Sequence, residues 1–136
     1  MDYSSYHYAT LPVDDTDLTN EFDSQDYTDV ETDNNAFVNQ GGDLEYMVFL
    51  FKDQYDTDTG LLNLYCRLKS TIAPVDSTVY LQIFNRTTEK WVTVTYDDFS
   101  SANIKFALEV TISDNLSDYY DAGNWVACRV YQLGIV

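Results

Sequence analysis

The chain has 136 residues, of which 23 are Asp or Glu and seven are Lys or Arg, giving a formal net charge of −16 at pH 7. That charge disfavours nucleic-acid phosphates and anionic membrane surfaces as partners. A hydrophobic fraction of 45 %, with 12 Tyr, 7 Phe and 2 Trp, excludes a wholly disordered chain.

The N-terminal third is acidic throughout. Residues 1–51 contain twelve acids and neither Lys nor Arg, so all seven basic residues follow Phe51. Such asymmetry is typical of an interacting segment attached to a separately folded body. Because residues 1–25 have too few apolar side chains to form a core, we expect an extended acidic N-terminal arm. A weak pattern at 14–22, with Asp14 or Asp15 as N-cap, favours one or two helical turns within it.

The arm carries the side chains that we expect to contact a partner. Tyrosine anchors protein interfaces well because it offers a large contact area with few rotatable bonds. The segment also lacks the basic and apolar regions of a signal peptide, which predicts a protein made in the cytoplasm. The candidate interface residues of the arm are Tyr3, Tyr6, Tyr8, Leu11, Leu18 and Phe22.

Residues 26–136 have the pattern of a β-sandwich domain. Apolar and polar side chains alternate over 62–69, 78–85, 104–112 and 126–131, as expected of antiparallel strands with one buried face. Residues 46–51 are continuously apolar, which favours a central strand or one covered on both faces. A five-residue hairpin loop at 86–90 joins strand 78–85 to strand 91–96. With two weaker strands near 27–30 and 36–39, we predict an all-β, jelly-roll-like antiparallel sandwich.

The two cysteines, Cys66 and Cys128, lack metal-ligand spacing and are too few for a disulfide scaffold. Both fall on the apolar phase of predicted strands. The interpretation we favour is a pair of reduced core thiols that pack as small hydrophobic residues. The alternative is a disulfide between neighbouring strands.

Residues for catalysis are scarce, and we predict that the protein is not an enzyme. His7 is the only histidine, so neither a histidine-based triad nor a multi-histidine metal centre is available. No cofactor is predicted, and the alternative is a bound Ca²⁺ ion. Asp56 and Asp58 in the segment 53–60 (DQYDTDTG) provide oxygen ligands of the kind that Ca²⁺ prefers, although an ordinary Asp- and Gly-rich loop has the same composition.

Outward aromatic side chains form a second candidate interface. Tyr80 and Phe84 alternate with the predicted core residues of their strand, and Trp91 opens the next strand. Large aromatics exposed on one face usually mark an interface, so we expect these three to carry oligomerisation. The alternative is a platform on which Tyr80, Trp91 and Tyr131 stack against sugar rings.

Three stretches of sequence together resemble a known group of proteins. They are residues 10–18 (TLPVDDTDL), 77–86 (STVYLQIFNR) followed by Trp91, and 116–121 (LSDYYD) leading to 125–132 (WVACRVYQ). The chain resembles small virion structural proteins of tailed bacteriophages, among them head decoration proteins, head fibres and tail-associated proteins. The resemblance implies no catalytic residues.

We therefore expect a virion protein, most plausibly a capsid decoration (cement) protein. Its partners would be the major capsid protein or another virion protein. It would act as a homo-oligomer, with a trimer favoured, and the arm would lie across neighbouring subunits. The alternative is a carbohydrate-binding adhesin module of a tail or head fibre, for which a glycan is the partner.

Overall fold

The computed structural model describes residues 2–31, 36–39, 41, 44–54 and 60–135. Over these residues the chain forms an all-β sandwich of two antiparallel sheets, as the sequence predicts. The larger sheet has the order β2-β1-β3-β8-β5-β6, and β4 pairs with β7 in the smaller one. The strands are β1 Asp2–Tyr8, β2 Asn20–Glu21, β3 Tyr46–Gln54, β4 Leu62–Leu68, β5 Val79–Asn85, β6 Lys90–Asp97, β7 Phe106–Ile112 and β8 Trp125–Leu133.

The main core lies between the two sheets and follows from period-two alternation. In β4, for example, Leu62 and Leu64 are buried while Asn63 and Tyr65 are exposed. The same phase holds in the strands opposite, so each contributes every second side chain to one continuous apolar layer. That layer consists of Leu62, Leu64, Val79, Leu81, Ile83, Leu108, Leu116, Val126, Cys128 and Val130.

The predicted hairpin and the predicted central strand are both confirmed. β5 pairs with β6 through the turn at 86–89, with a register shift between Leu81 and Gln82. β3 lies inside the larger sheet between β1 and β8. It is covered on both faces, because Phe49 and Phe51 pack against the main core while Val48 and Leu50 are only 1 % and 3 % exposed on the opposite face.

The prediction of a free arm at residues 1–25 is wrong for Asp2–Tyr8, which form β1. β1 pairs with β3 along its whole length, from Asp2 opposite Lys52 to Tyr8 opposite Tyr46. β2 then pairs with β1 on the other side. This pairing satisfies backbone hydrogen bonds that a free arm would leave to water. The sequence pattern missed the strand because two of its buried residues, Ser4 and Ser5, are polar.

A helix, α1 Ser24–Val30, follows β2. Asp23 is its N-cap and accepts a hydrogen bond from the Asp26 N–H at 2.9 Å, while the Asp26 carboxylate accepts one from the Asp23 N–H at 3.0 Å. This reciprocal capping box starts the helix. The weak strand predicted near 27–30 is therefore wrong, residues 36–39 form no strand, and residues 14–22 form no helix. In the described part of the chain, the helices are too short and too polar to cross a membrane.

Both cysteines are free thiols, in agreement with the packing interpretation. Burial raises the pKa of the Cys66 thiol to about 12, against a small opposing effect of a backbone hydrogen bond. Burial, and after it the neighbouring Cys66, raises the pKa of Cys128 as well. Both side chains therefore stay protonated at neutral pH and act as small core residues.

Candidate docking site

The larger sheet has an outer face, turned away from the smaller sheet, and residues 9–19 cross it. We call this segment the N-terminal loop. It leaves β1 after Tyr8 and returns to the sheet at β2. Leu18 is buried against Val48 and Leu50, with Leu11 beside them. The loop therefore encloses a second apolar cluster, to which Tyr6, Tyr8, Tyr46, Trp91 and Tyr131 also contribute.

Basic residues of the body hold the N-terminal loop through its acidic side chains. Arg86 Nη1 lies 2.6 Å from Asp15 Oδ2, and Lys52 Nζ lies 2.9 Å from Asp17 Oδ1. The Leu18 N–H also donates to Ser4 Oγ at 3.0 Å. Part of the N-terminal negative charge is thus neutralised within the chain.

Arg129 is the central contact beneath the loop. It is 5 % exposed, its Nε donates to Gln82 Oε1 at 2.8 Å, and its Nη1 donates to the Pro12 carbonyl at 2.7 Å. Its guanidinium carbon lies 4.3 Å from the Trp91 ring centroid, within cation–π range. Burial lowers the pKa of Arg129 to about 10, so the side chain keeps its charge at neutral pH.

The predicted interface residues of the N-terminal segment pack inside the chain. Tyr3 contacts Phe22, Tyr27 and Phe51, with ring centroids 5.4, 5.3 and 5.9 Å away. Tyr6, Tyr8, Leu11 and Leu18 belong to the cluster under the N-terminal loop. The structure therefore brings these side chains to one sheet, where they stabilise its β1 side.

The predicted outward face of the hairpin is also largely covered. Phe84 is only 6 % exposed and packs edge-on against Trp91, so its assignment to an exposed interface is wrong. The half-buried Trp91 donates from Nε1 to the Asp14 carbonyl at 3.2 Å, and Arg129 lies over its ring. Tyr80 stacks on Tyr131 at 5.1 Å. With these ring faces occupied, the arrangement does not favour the sugar platform.

The predicted calcium residues, Asp56 and Asp58, lie outside the described residues. Among the residues that are described, no group of three or more His, Cys, Asp or Glu side chains is placed to hold a metal ion.

A different surface carries exposed apolar side chains. We call it the loop end: the end of the sandwich where β4, β6 and β8 finish and β5 and β7 begin. Its loops are tied together by hydrogen bonds from the Val75 N–H to the Ser100 carbonyl at 3.3 Å and from the Asn103 N–H to the Ser70 carbonyl at 2.7 Å. The exposed apolar residues of the loop end are Leu44, Val75, Tyr96, Phe99, Ile104, Leu133 and Ile135.

Phe99 is the most prominent of them, at 75 % exposure. The backbone of its turn is fixed by Asp97, which is only 3 % exposed. Asp97 Oδ1 accepts hydrogen bonds from the Phe99 and Ser100 N–H groups at 3.1 and 2.9 Å. Asp97 Oδ2 accepts a third, from Ser100 Oγ at 2.7 Å. Burial alone would raise the pKa of Asp97, but these hydrogen bonds outweigh it and lower the pKa. The result is a fixed turn that presents an aromatic ring to solvent.

A cleft of about 360 Å³ lies between the two sheets at the loop end. Its apolar walls include Phe49, Leu68 and Phe106, and Lys69 also lines it. Lys69 Nζ and Lys105 Nζ lie 5.7 and 5.5 Å from the Phe37 ring centroid, so two of the seven basic residues meet here. The sequence pattern did not single out this site, although the Asp97–Ser100 spacing of an Asx-type turn is a signal that could have indicated it.

Comparison with protein-family models, with curated proteins and with solved structures finds no match to this chain.

Proposed function

We propose that the protein is a virion structural protein of the capsid decoration (cement) type, which works as a homo-oligomer and assembles through the loop end. The sequence resemblance to small tailed-phage virion proteins supports the virion setting. The loop end supports the mode of action, because large exposed apolar patches mark sites of protein–protein contact.

One observation carries the proposal: Phe99 is 75 % exposed on a turn that Asp97 fixes. An aromatic residue on a turn whose backbone is already fixed loses less conformational entropy on binding than one on a flexible loop. Val75, Tyr96 and Ile104 add exposed apolar area at the same end. A protein with this surface acts by binding.

The N-terminal segment has a different role from the stapling arm that the sequence suggests. Through β1 and the N-terminal loop it completes the larger sheet and covers its outer face. In this proposal it stabilises the body, and the loop end makes the protein–protein contact by which copies of the protein assemble on the particle.

Two measurements on purified particles of the encoding virus test the proposal. Mass spectrometry should find a copy number that scales with the major capsid protein, whereas a few copies per particle would point to a fibre or tail component. Particles stripped of the protein should rebind the wild-type chain, and Phe99→Ala should rebind poorly.

Tyr65→Ala is the matched control for that binding assay. Tyr65 is an aromatic residue that is also exposed, but it lies on the solvent face of β4. If the Phe99 and Tyr65 variants rebind equally well, the loop end is not needed for binding to the particle.

A further inference from the structure

We infer that the loop end binds the loop end of a second copy of this chain, with Phe99 of each copy inserted into the cleft of the other. The inference rests on the proposed function, since it names the partner of the same surface. It follows from an exposed aromatic ring and a cleft large enough to receive it at the same end of the chain, with a carboxylate beside the ring and a lysine in the wall of the cleft.

The projection is Phe99 with its neighbour Asp98. Three hydrogen bonds to the Asp97 carboxylate fix the backbone of the turn, so the position from which the Phe99 side chain projects is fixed. Asp98 is exposed beside it. An inserted Phe99 would therefore bring a carboxylate to the mouth of whatever cleft receives the ring.

The cleft suits an aromatic ring. Its volume is about 360 Å³, well above the ~150 Å³ that holds a benzene molecule in an engineered protein cavity. The walls combine apolar side chains of both sheets with polar ones, which are Asn39, Lys69, Ser70, Thr71 and Gln132. The polar wall residue Gln132 is already bonded, since its Nε2 donates to the Ile72 and Ser77 carbonyls at 2.9 Å each. A ring entering the cleft would not have to displace that residue from its partners.

Charge favours the same pairing. Lys69 lines the cleft, and Lys105 shares the Phe37 ring with it. A carboxylate carried in by Asp98 would meet Lys69 at the wall of the cleft. Both the projection and its complement are thus present on one surface of one chain.

Repulsion between two copies of this acidic chain is reduced at the loop end by two basic residues. Lys69 and Lys105 lie there with the acids Asp76, Asp97 and Asp98, so part of the negative charge is cancelled. The acidic side chains of the N-terminal loop lie elsewhere: Asp15 binds Arg86 just beyond the last residue of β5, at the opposite end of that strand from the loop end. At ~0.1 M salt the Debye length is ~10 Å, so distant charges on the two copies are largely screened.

The two elements of the contact lie at the same end of the molecule. Two copies can therefore each supply a ring and a cleft, which is the self-complementary arrangement of a two-fold interface. The exposed Val75 and Ile104 of the neighbouring loops would then add apolar contact around the inserted ring.

Sedimentation velocity of the purified full chain, over a range of protein concentrations, tests the inference. The wild type should self-associate, and Phe99→Ala should weaken self-association at least about 30-fold, the effect of removing an interface hot spot. Tyr65→Ala should associate like the wild type. Thermal unfolding followed by circular dichroism checks that each variant is folded.

A charge exchange adds a second, independent test. Asp98→Lys and Lys69→Asp should each weaken association, and the two changes together in one chain should restore it. A wild type that is monomeric at all concentrations overturns the inference. Unaffected association in folded Phe99→Ala, or an absence of restoration in the double variant, overturns it as well.

The outcomes separate this inference from the proposed function. If Phe99→Ala is monomeric while particles contain only a few copies of the protein, self-pairing stands and the decoration role falls. If Phe99→Ala still self-associates but no longer rebinds particles, the loop end docks on the particle and the self-pairing is wrong.

Discussion

The outer face of the larger sheet and the loop end differ in whether another part of the chain covers their apolar side chains. Each gathers aromatic and aliphatic side chains on the surface of a strongly acidic chain. On the outer face, the N-terminal loop covers them, so that Val48 and Leu50 are only 1 % and 3 % exposed. At the loop end, Phe99 is left 75 % exposed. An apolar residue outside the main core is thus buried or exposed according to which other segment of the chain packs over it.

Placement of the basic residues accounts for part of the difference. Arg86, Lys52 and Arg129 bind the N-terminal loop and hold it on the outer face. Lys69 and Lys105 lie at the loop end, where they share one aromatic ring. The first group closes a surface within the chain, and in the second Lys69 lines an open cleft. Four changes to the chain would break or sharpen this comparison.

Deletion of residues 1–19 should have the largest effect, because it turns the covered face into an open one. It removes β1 from the edge of β3 and exposes Val48 and Leu50. Fully burying such a side chain is worth about 1.5–3 kcal/mol, and a domain has only about 5–15 kcal/mol in total. We expect the cooperative thermal transition in circular dichroism to be lost.

The exposed loop residue Val13 gives a control, since Val13→Ser should melt like the wild type. If the truncated chain shows the same thermal transition as the wild type, residues 1–19 are not part of the folded body and the prediction of a free arm is correct.

Replacing Arg129 by Met should destabilise the protein by about 3 kcal/mol. The change leaves Gln82 Oε1 and the Pro12 carbonyl without their charged donor and removes the cation–π contact with Trp91. Urea unfolding at pH 7 measures the effect. Arg67→Met, at an exposed position of β4, should cost less than about 0.5 kcal/mol. Equal losses for the two variants would mean that Arg129 does not hold the N-terminal loop.

Asp97→Ala should cost about 2 kcal/mol, because a buried acceptor of three hydrogen bonds is lost. Asp97→Asn should cost less, since its amide oxygen can still accept from the backbone. The pKa of Asp97 is lowered from 3.8 in the fold. The stabilisation by the carboxylate is therefore fully present above pH 3.8 and lost as the pH falls through the lower folded value.

Urea unfolding of the wild type and the Asn variant at pH 7 and at pH 2–3 measures this dependence. The difference between the two should shrink at the lower pH. A difference that stays constant would show that the charge of Asp97 is not what holds the turn of Phe99.

The smallest effect is expected for Asp15→Asn, at about 0.5 kcal/mol. The Arg86–Asp15 pair is only partly shielded, with side-chain exposures of 18 % and 23 %. Because salt screens such a pair, the difference from the wild type in urea unfolding should nearly vanish at ~1 M NaCl. A larger loss that persists in high salt would mean that this single ion pair closes the outer face.

Several features could be predicted from local patterns, and others could not. Alternation over residues 62–69 and 104–112 correctly predicts β4 and β7, because each strand has one buried and one exposed face. The continuous apolar run in β3 correctly predicts burial on both sides. β1 could not be predicted in this way, because its buried Ser4 and Ser5 look like surface residues until Ser4 Oγ accepts the Leu18 N–H. The docking site was missed because its parts come from loops far apart in sequence.

The sequence by itself determined the fold class, the phase of the body strands and the location of the negative charge. These depend on side-chain period and composition, which are local properties. Only the tertiary structure decided which outward aromatics are covered, because that depends on where residues 9–19 return across the sheet and which basic residues meet them there. It also decided that Phe99 stays exposed, since burial is a property of neighbours in space and not of neighbours along the chain.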